Sequence, residues 1–263
     1  MTDTDLQAHG VCIDYGAVPV VAGLDLSIPR GRFTVLIGPN GSGKSTILRG
    51  LAGLLPLSAG RVTLDGTPIT RLPSKAVARR IAFLAQSATA PEGMTVTDLV
   101  RQGRYPHRGL FGAWTAADSE AVAQALALTS VADLADRRLD SLSGGQRQRA
   151  WIAMALAQQG DILLLDEPTT WLDLAHQIEL LDLVRALIRS RGATVVAVLH
   201  DLNQAARYAD HLVLLRDGQV QSAGAPADVL TSDTVQDVFG VAVRVMPDPE
   251  TGLPMCVPRA SAR

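Results

Sequence analysis

Nine residues, Gly38-Pro39-Asn40-Gly41-Ser42-Gly43-Lys44-Ser45-Thr46, carry the plainest chemistry in this chain. They satisfy G-x-x-x-x-G-K-[ST] at every fixed position, between the apolar run Phe33 to Ile37 and the helical pattern Ile47 to Ala52. Strand, glycine loop and helix in that order make a phosphate-binding loop. Glycines at 38, 41 and 43 are expected to take positive φ, so that successive N–H groups turn inward as an anion nest at a helix N-terminus. Lys44 would then reach the β and γ phosphates of a nucleotide, and the Ser45 hydroxyl would be a ligand of Mg2+ bridging them.

Further groups belong with a phosphate site. The run Ile162 to Leu165 ends in Asp166-Glu167, two carboxylates which the alternation of a strand sends in different directions. Asp166 is expected to hold the Mg2+ shell; Glu167 is expected to orient and deprotonate the attacking water. His200 ends the apolar run Ala193 to Leu199, and Gln86 ends Ile81 to Ala85. Ligands in open α/β sheets bind beyond the carboxyl ends of the strands, which puts both on the rim with Lys44, Asp166 and Glu167. Gln86 could offer its amide oxygen to the metal, and His200 could sense the γ phosphate and fix the catalytic carboxylate. His9, His107, His176 and His211 have no such company. Ser143-Gly144-Gly145-Gln146, at the start of a helical pattern through Trp151 and Leu156, reads as a second anion site. Tyr15, one strand ahead of the glycine loop, reads equally as a purine-stacking ring or as a surface strand end.

The elements that must position these groups follow from periodicity. Strands are expected through residues 6–37, at Gly60 to Gly66 and at Ile81 to Ala85. No strand-like run lies between Ser87 and Gln159, where helical patterns cover Ala116 to Leu128 and Val131 to Ala135. A helical subdomain is therefore expected over 87–159, inserted in a core of 1–86 and 160–240, with 241–263 as a C-terminal tail that looks like a hairpin. After Pro168 to Asp173 an amphipathic helix begins, with Leu174, Ile178, Leu181, Val184 and Ile188 expected to face the core. The fold class is α/β: a P-loop NTPase core with a mostly parallel sheet, an antiparallel edge sheet and the inserted helices.

Composition bounds the partners. Of 263 residues, 47% are hydrophobic, enough for a large core. Cys12 and Cys256 are the only cysteines, which excludes a disulfide framework and a cysteine-rich metal site. The acidic N-terminus, Met1 to Asp5, lacks the pattern of a secretory signal, and none is expected. Apolar runs fall far short of the roughly 20 residues that cross a bilayer, so membrane association is expected only through a partner. The net charge of −2 carries no basic footprint, and no nucleic-acid partner is expected.

As an ordered set, the glycine loop, Gln86, Leu142 to Gln146, Asp166-Glu167, Asp173 and His200 resemble the nucleotide-binding subunits of ABC transporters over about residues 6–230. The resemblance implies a single ABC ATPase domain over 1–263, with Tyr15 as the A-loop aromatic, Gln86 as the Q-loop, Ser143 to Gln146 as the signature and Asp173 as the D-loop aspartate. It implies ATP held between the glycine loop of one subunit and the signature of another, hence a twofold homodimer, each residue set acting in cis at one site and in trans at the other. It further implies integral-membrane permease subunits as partners, docked on the Gln86 loop and residues 87–112, a substrate-binding protein engaged indirectly, and a place at the cytoplasmic face of the cell membrane. Gly103 to His107, Pro168 to Asp173 and His200 to Ala205 look like the iron-chelate (ferric siderophore), haem and vitamin B12 importer ATPases. Most ABC ATPases have serine where Thr170 stands and a small residue at 171, so Trp171 suits this subgroup, while Tyr105 leans towards siderophores. The competing readings are a soluble ABC ATPase acting on nucleic acid, which usually carries paired cassettes or basic surfaces, and a regulator without turnover, which Glu167 and His200 together disfavour.

Overall fold

The computed structural model describes residues 4–86, 89–109 and 112–259. Residues 87, 88, 110 and 111 of the expected docking segment, and the ends 1–3 and 260–263, lie outside the described residues. In chain order the elements begin with β1 (Thr4–Tyr15), β2 (Val18–Pro29), β3 (Phe33–Ile37), α1 (Lys44–Leu51), β4 (Ala59–Leu64), β5 (Thr67–Pro68), α2 (Ser74–Arg80) and β6 (Ile81–Leu84). There follow α3 (Val96–Gln102), α4 (Ala116–Leu128), α5 (Gly144–Ala157), β7 (Ile162–Leu165), α6 (Leu174–Arg191) and β8 (Thr194–Val198). The chain continues with α7 (Leu202–Tyr208), β9 (His211–Arg216), β10 (Gln219–Gly224), α8 (Pro226–Val229), α9 (Ser232–Phe239), β11 (Val243–Pro247) and β12 (Pro254–Pro258).

Contacts divide the chain into two compact units, residues 1–71 with 192–263, and residues 72–191. In the first, strands follow the order β10-β9-β3-β8, with β3 parallel to both β8 and β9, while β2-β1-β4-β5 form an antiparallel sheet. Every residue of β3 and β8 is buried, Thr34 and Thr194 included, which is why these strands are nearly continuous apolar runs rather than alternating ones. Solvent never reaches either face. The mixture of parallel and antiparallel strands is the expected α/β class.

The second unit holds β6 and β7, paired in parallel from Ile81↔Ile162 to Leu84↔Leu165, together with α2 to α6. Among the described residues no strand lies between 85 and 161; the segment expected as a helix at 131–135 is a single 3-10 turn, Ala132–Leu134. Helices α3, α4 and α5 pack around Val96, Leu99, Val100, Val122, Ala125, Leu126, Ala150 and Ala153.

Two expectations about packing need correction. Leu174 and Ile178 are 67% and 41% exposed, and Ile188 is only half-buried. The face of α6 that enters the core is Leu180, Leu181, Val184 and Leu187. A stripe that includes Leu181 and Val184 can be drawn through either set at helical spacing, and the first turn of the helix lies beyond the apolar contacts. Gly38 is not among the residues with positive φ, unlike Gly41 (φ 80) and Gly43 (φ 88). Its requirement is space: a Cβ there would lie 2.1 Å from the Leu215 carbonyl oxygen.

Candidate functional site

In the first unit, the glycine loop leaves β3 and enters α1 through Gly43, whose left-handed φ of 88° makes it the N-cap without supplying a side-chain cap. The end of α1 therefore has to be satisfied by something other than its cap residue, and an anion answers that need. What calls for glycine at 43 is that left-handed φ rather than space, since a Cβ there would make only ordinary contacts, 3.4 Å to the Val20 oxygen and 3.5 Å to Gly218 Cα. The Lys44 ammonium donates to the carbonyl oxygens of Gly38 (2.9 Å) and Pro39 (2.8 Å), a buried cation held at the loop's mouth by acceptors that phosphate oxygens can replace. Ser42 Oγ is buried without a hydrogen-bond partner. Glycine geometry, a lysine on exchangeable acceptors and an uncapped helix start fit a nucleotide's phosphates.

His200 is placed by strand register. The parallel pair Leu36↔Val198 is extended by the Leu199 N–H donating to the Leu36 oxygen, 3.2 Å, so that two residues further on Gly38 and His200 leave their strands side by side. His200 is exposed, on the turn before α7. Tyr15, at the end of β1, is 48% exposed and pairs with Val18 across a tight turn. The structure thus gives the tyrosine the solvent-facing strand end that either of its readings requires.

The second unit brings three expected groups and an unexpected one together. Beyond the last β6–β7 pair, Leu84↔Leu165, the Asp166 N–H donates to the Leu84 oxygen at 2.9 Å. Gln86 and Glu167 then leave adjacent strands at the same level, and Gln86 Nε2 donates to Glu167 Oε2 at 2.6 Å. Asp166 is fully buried and Glu167 half-buried, with φ 51. Positive φ is unusual for a residue with a Cβ, and this one turns the chain sharply as the strand ends. The turn carries Thr170 back, so that its Oγ1 donates to the same Glu167 Oε2 at 3.2 Å. Two donors on one oxygen fix the carboxylate's direction. Thr170 was singled out only as a departure from a family pattern; its signal was the three-residue spacing from Glu167.

Asp173 caps α6. Its Oδ1 accepts from the His176 N–H (2.9 Å) and pairs with His176 Nδ1 (2.7 Å), which holds its carboxyl below the usual range, the backbone hydrogen bond being the larger cause. His176, expected to stand apart, is the partner of a candidate site residue. Ser143 closes a capping box on α5: its Oγ accepts from the Gln146 N–H at 3.3 Å, and Gln146 Oε1 accepts from the Ser143 N–H at 3.1 Å. The hydroxyl expected to face an anion is engaged as an acceptor by its own helix, which leaves its proton to donate. Gly144 and Gly145 pass the 168–172 segment closely, with positions for a Cβ 3.9 Å from the Trp171 Cβ and 3.4 Å from the Leu172 Cδ2. Trp171 itself is 82% exposed at φ 68.

The segment after α3 is anchored from beneath. Arg104, 5% exposed, donates from Nε to Asp118 Oδ1 (2.9 Å) and from NH1 to the Ala157 oxygen (2.7 Å) and Gln159 Oε1 (2.9 Å). Neighbouring Tyr105 is 60% exposed, and the Pro106 and Arg108 carbonyls accept from Arg79 and Lys75. Asp118, bonded by the Thr115 hydroxyl and then by Arg104, is held down to about 2 from 3.8. Sequence reasoning missed this pair, although Thr115-x-x-Asp118 is a visible capping-box spacing.

Among the described residues no three His, Cys, Asp or Glu side chains gather as a metal site, and no helix is long and apolar enough to cross a membrane. Mg2+ needs no such cluster when phosphate oxygens complete its shell. Buried Asp166 and the hydroxyl of Ser45 are the donor types that this binding uses.

A glycine loop opening a helix, beside a parallel strand tipped by a histidine, with a separate strand tipped by Asp-Glu, defines a P-loop nucleotide hydrolase. The model of the ABC transporter family matches residues 21–170, and the chain belongs to that family as an ATP-binding, ATP-hydrolysing subunit. It is 51% identical over 253 residues to the ferric enterobactin transport ATP-binding protein FepC of Escherichia coli (strain K12), covering 96% of this chain and 93% of the relative. Among solved structures it resembles an ABC transporter described as metal-chelate type, in an inward-facing conformation (TM-score 0.84, 30% identity, 98% of this chain and 99% of that one). It also resembles a dimeric bacterial ABC transporter cassette (TM-score 0.76, 28% identity, 84% and 98%).

Proposed function

We propose that this subunit hydrolyses ATP to drive import of a ferric siderophore through separate integral-membrane permease subunits, acting as a homodimer at the cytoplasmic face of the cell membrane. The observation that carries the substrate class is the 51% identity to a ferric enterobactin transport ATP-binding protein along nearly the whole of both chains. A substrate-binding protein is engaged only through the permease. The permease docks on the Gln86 loop and residues 87–112, a reading supported by Tyr105 standing exposed next to Arg104, which is buried and bonded to Asp118.

Tyr15 stacks on the adenine. The phosphates take the place of the Gly38 and Pro39 carbonyls on the Lys44 ammonium, and the loop 38–46 wraps them with backbone N–H groups. Ser45, Asp166 and the amide oxygen of Gln86 would hold Mg2+, which supplies charge neutralisation at the phosphoryl group. Glu167 orients the attacking water and takes its proton; Gln86 and Thr170 aim its carboxylate for that task. His200 senses the γ phosphate. Asp173 and Ser143, Gly144, Gly145 and Gln146 act on the nucleotide of the other protomer, the Ser143 hydroxyl donating its remaining proton.

The test is Glu167→Gln in the full chain. ATP binding is retained, hydrolysis falls by about 10²–10⁴, and ATP-bound dimers accumulate on a sizing column; wild-type turnover refutes the assignment of the base. For the substrate, a deletion strain grown on single iron sources should lose growth on a ferric siderophore and recover it with the gene. Unchanged uptake of every ferric siderophore refutes that part.

A further inference from the structure

The C-terminal hairpin is bonded to the helix that follows His200. Strands β11 and β12 pair from Val243↔Pro258 to Pro247↔Pro254 and bury Val243 and Cys256. Beyond the hairpin itself, β12 meets a side chain: the Cys256 N–H donates to Asn203 Oδ1 at 2.7 Å, and Asn203 Nδ2 donates to the Cys256 oxygen at 3.3 Å. One carboxamide thus satisfies both backbone groups of a strand residue, as a neighbouring strand would. On its other side the hairpin reaches α9, where the Val245 N–H donates to Ser232 Oγ at 3.4 Å. Helix α9 in turn lines a cavity of about 590 Å3 with Pro39 to Ser42 of the glycine loop.

Asn203 sits in the first turn of α7. Asp201 caps that turn, its Oδ1 accepting from the N–H groups of Asn203 and Gln204, both at 2.8 Å. His200 is the residue before the cap, exposed on the turn, so the position of the turn decides where its imidazole can reach. A three-residue lever joins the histidine to the clamp.

We propose that Asn203 is a positioning residue for ATP hydrolysis: its paired hydrogen bonds to the Cys256 backbone lock the first turn of α7 to the C-terminal hairpin and thereby hold His200 in place beside the glycine loop. The proposal rests on the reading of His200 as the group that senses the γ phosphate. Asn203 itself is bonded to Asp201 and Cys256 rather than to Tyr15 or the loop 38–46, so loosening the clamp lowers kcat and spares binding. A structural staple alone would instead lower stability and leave turnover per folded molecule as it was.

The experiment is a double-mutant cycle in the full chain with Asn203→Ala and His200→Ala, reading kcat, KM and ATP Kd for folded protein, with single-turnover assays where rates are low. Asn203→Ala is expected to lower kcat about tenfold, equal to about 1.4 kcal/mol, with KM and Kd within about twofold. In the His200→Ala background the same change alters kcat less than about twofold, because its route is already cut. Asn203→Asp, which keeps the shape but sets an oxygen against the Cys256 oxygen, loses at least as much. Wild-type kcat in Asn203→Ala or Asn203→Asp overturns the proposal, as does a tenfold loss that persists on top of His200→Ala. Full activity in His200→Ala overturns the reading of the histidine itself and the proposal with it, so the two failures are told apart by which single variant keeps its rate.

Discussion

Replacing Arg104 by methionine should destabilise the second unit by about 3–5 kcal/mol at pH 7, the usual cost of removing one partner from a buried ion pair. The side chains of Arg104 and Asp118 are each 6% exposed and meet at 2.9 Å. Methionine fills much of the same volume but leaves the Ala157 carbonyl and one Asp118 oxygen without the donors that now reach them at 2.7 and 2.9 Å. The other Asp118 oxygen stays with Thr115, accepting from its hydroxyl at 2.7 Å and its N–H at 3.0 Å, so α4 keeps its start while carrying a buried charge short of one partner. Acid then supplies a second reading. The folded carboxyl is depressed from 3.8 to about 2, so its contribution is complete above about pH 4 and is lost as the pH falls through 2. At about 1.36 kcal/mol per pH unit, that contribution is about 2 kcal/mol. Urea unfolding followed by tryptophan emission suits the assay, since Trp114 and Trp151 pack against the core of this unit. The gap between wild type and Arg104→Met should be widest above pH 4 and shrink towards pH 2, where wild type also loses the ionised carboxyl. A variant within about 1 kcal/mol of wild type at pH 7, or a gap that does not change with pH, would refute the reasoning.

Leu181→Ala, at a fully buried position of α6, should cost about 2–5 kcal/mol in denaturant unfolding, whereas Leu174→Ala, at an exposed one, should stay within about 0.5 kcal/mol; equal losses would contradict the assignment of the buried face. Ser143→Arg, placed in the Glu167→Gln background, should leave the ATP Kd within about twofold, yet abolish the ATP-dependent shift to dimer on a sizing column. Undiminished dimerisation would remove the trans role from the signature.

What could be read from the sequence, and what could not, divides by how far apart the responsible atoms lie along the chain. Lys44, the glycine loop and α1 are one uninterrupted segment, so residue type and spacing determine their geometry directly. Gly38 shows the limit of the same reasoning: the residue was recognised, but its cause is the Leu215 carbonyl on β9, which no local spacing reveals. On α6, apolar residues are dense enough to support two stripes, and only the packing chooses Leu180 and Leu187 over Leu174 and Ile178. The pair Arg104–Asp118 was half visible, as a capping box without its cation, and the pair Asn203–Cys256 was not visible at all. Thr170 lies between these cases. It was noted only as a departure from serine, and the hydroxyl that donates to Glu167 Oε2 is the part the two residues share. Its extra methyl leaves that donor in place. What brings the hydroxyl to the carboxylate is the left-handed turn at Glu167, a backbone property that residue type alone does not announce. The Glu167 carboxylate is therefore held by two groups of unequal legibility: Gln86, placed by strand register two residues past Leu84↔Leu165, and Thr170, placed by the left-handed backbone of the residue it bonds.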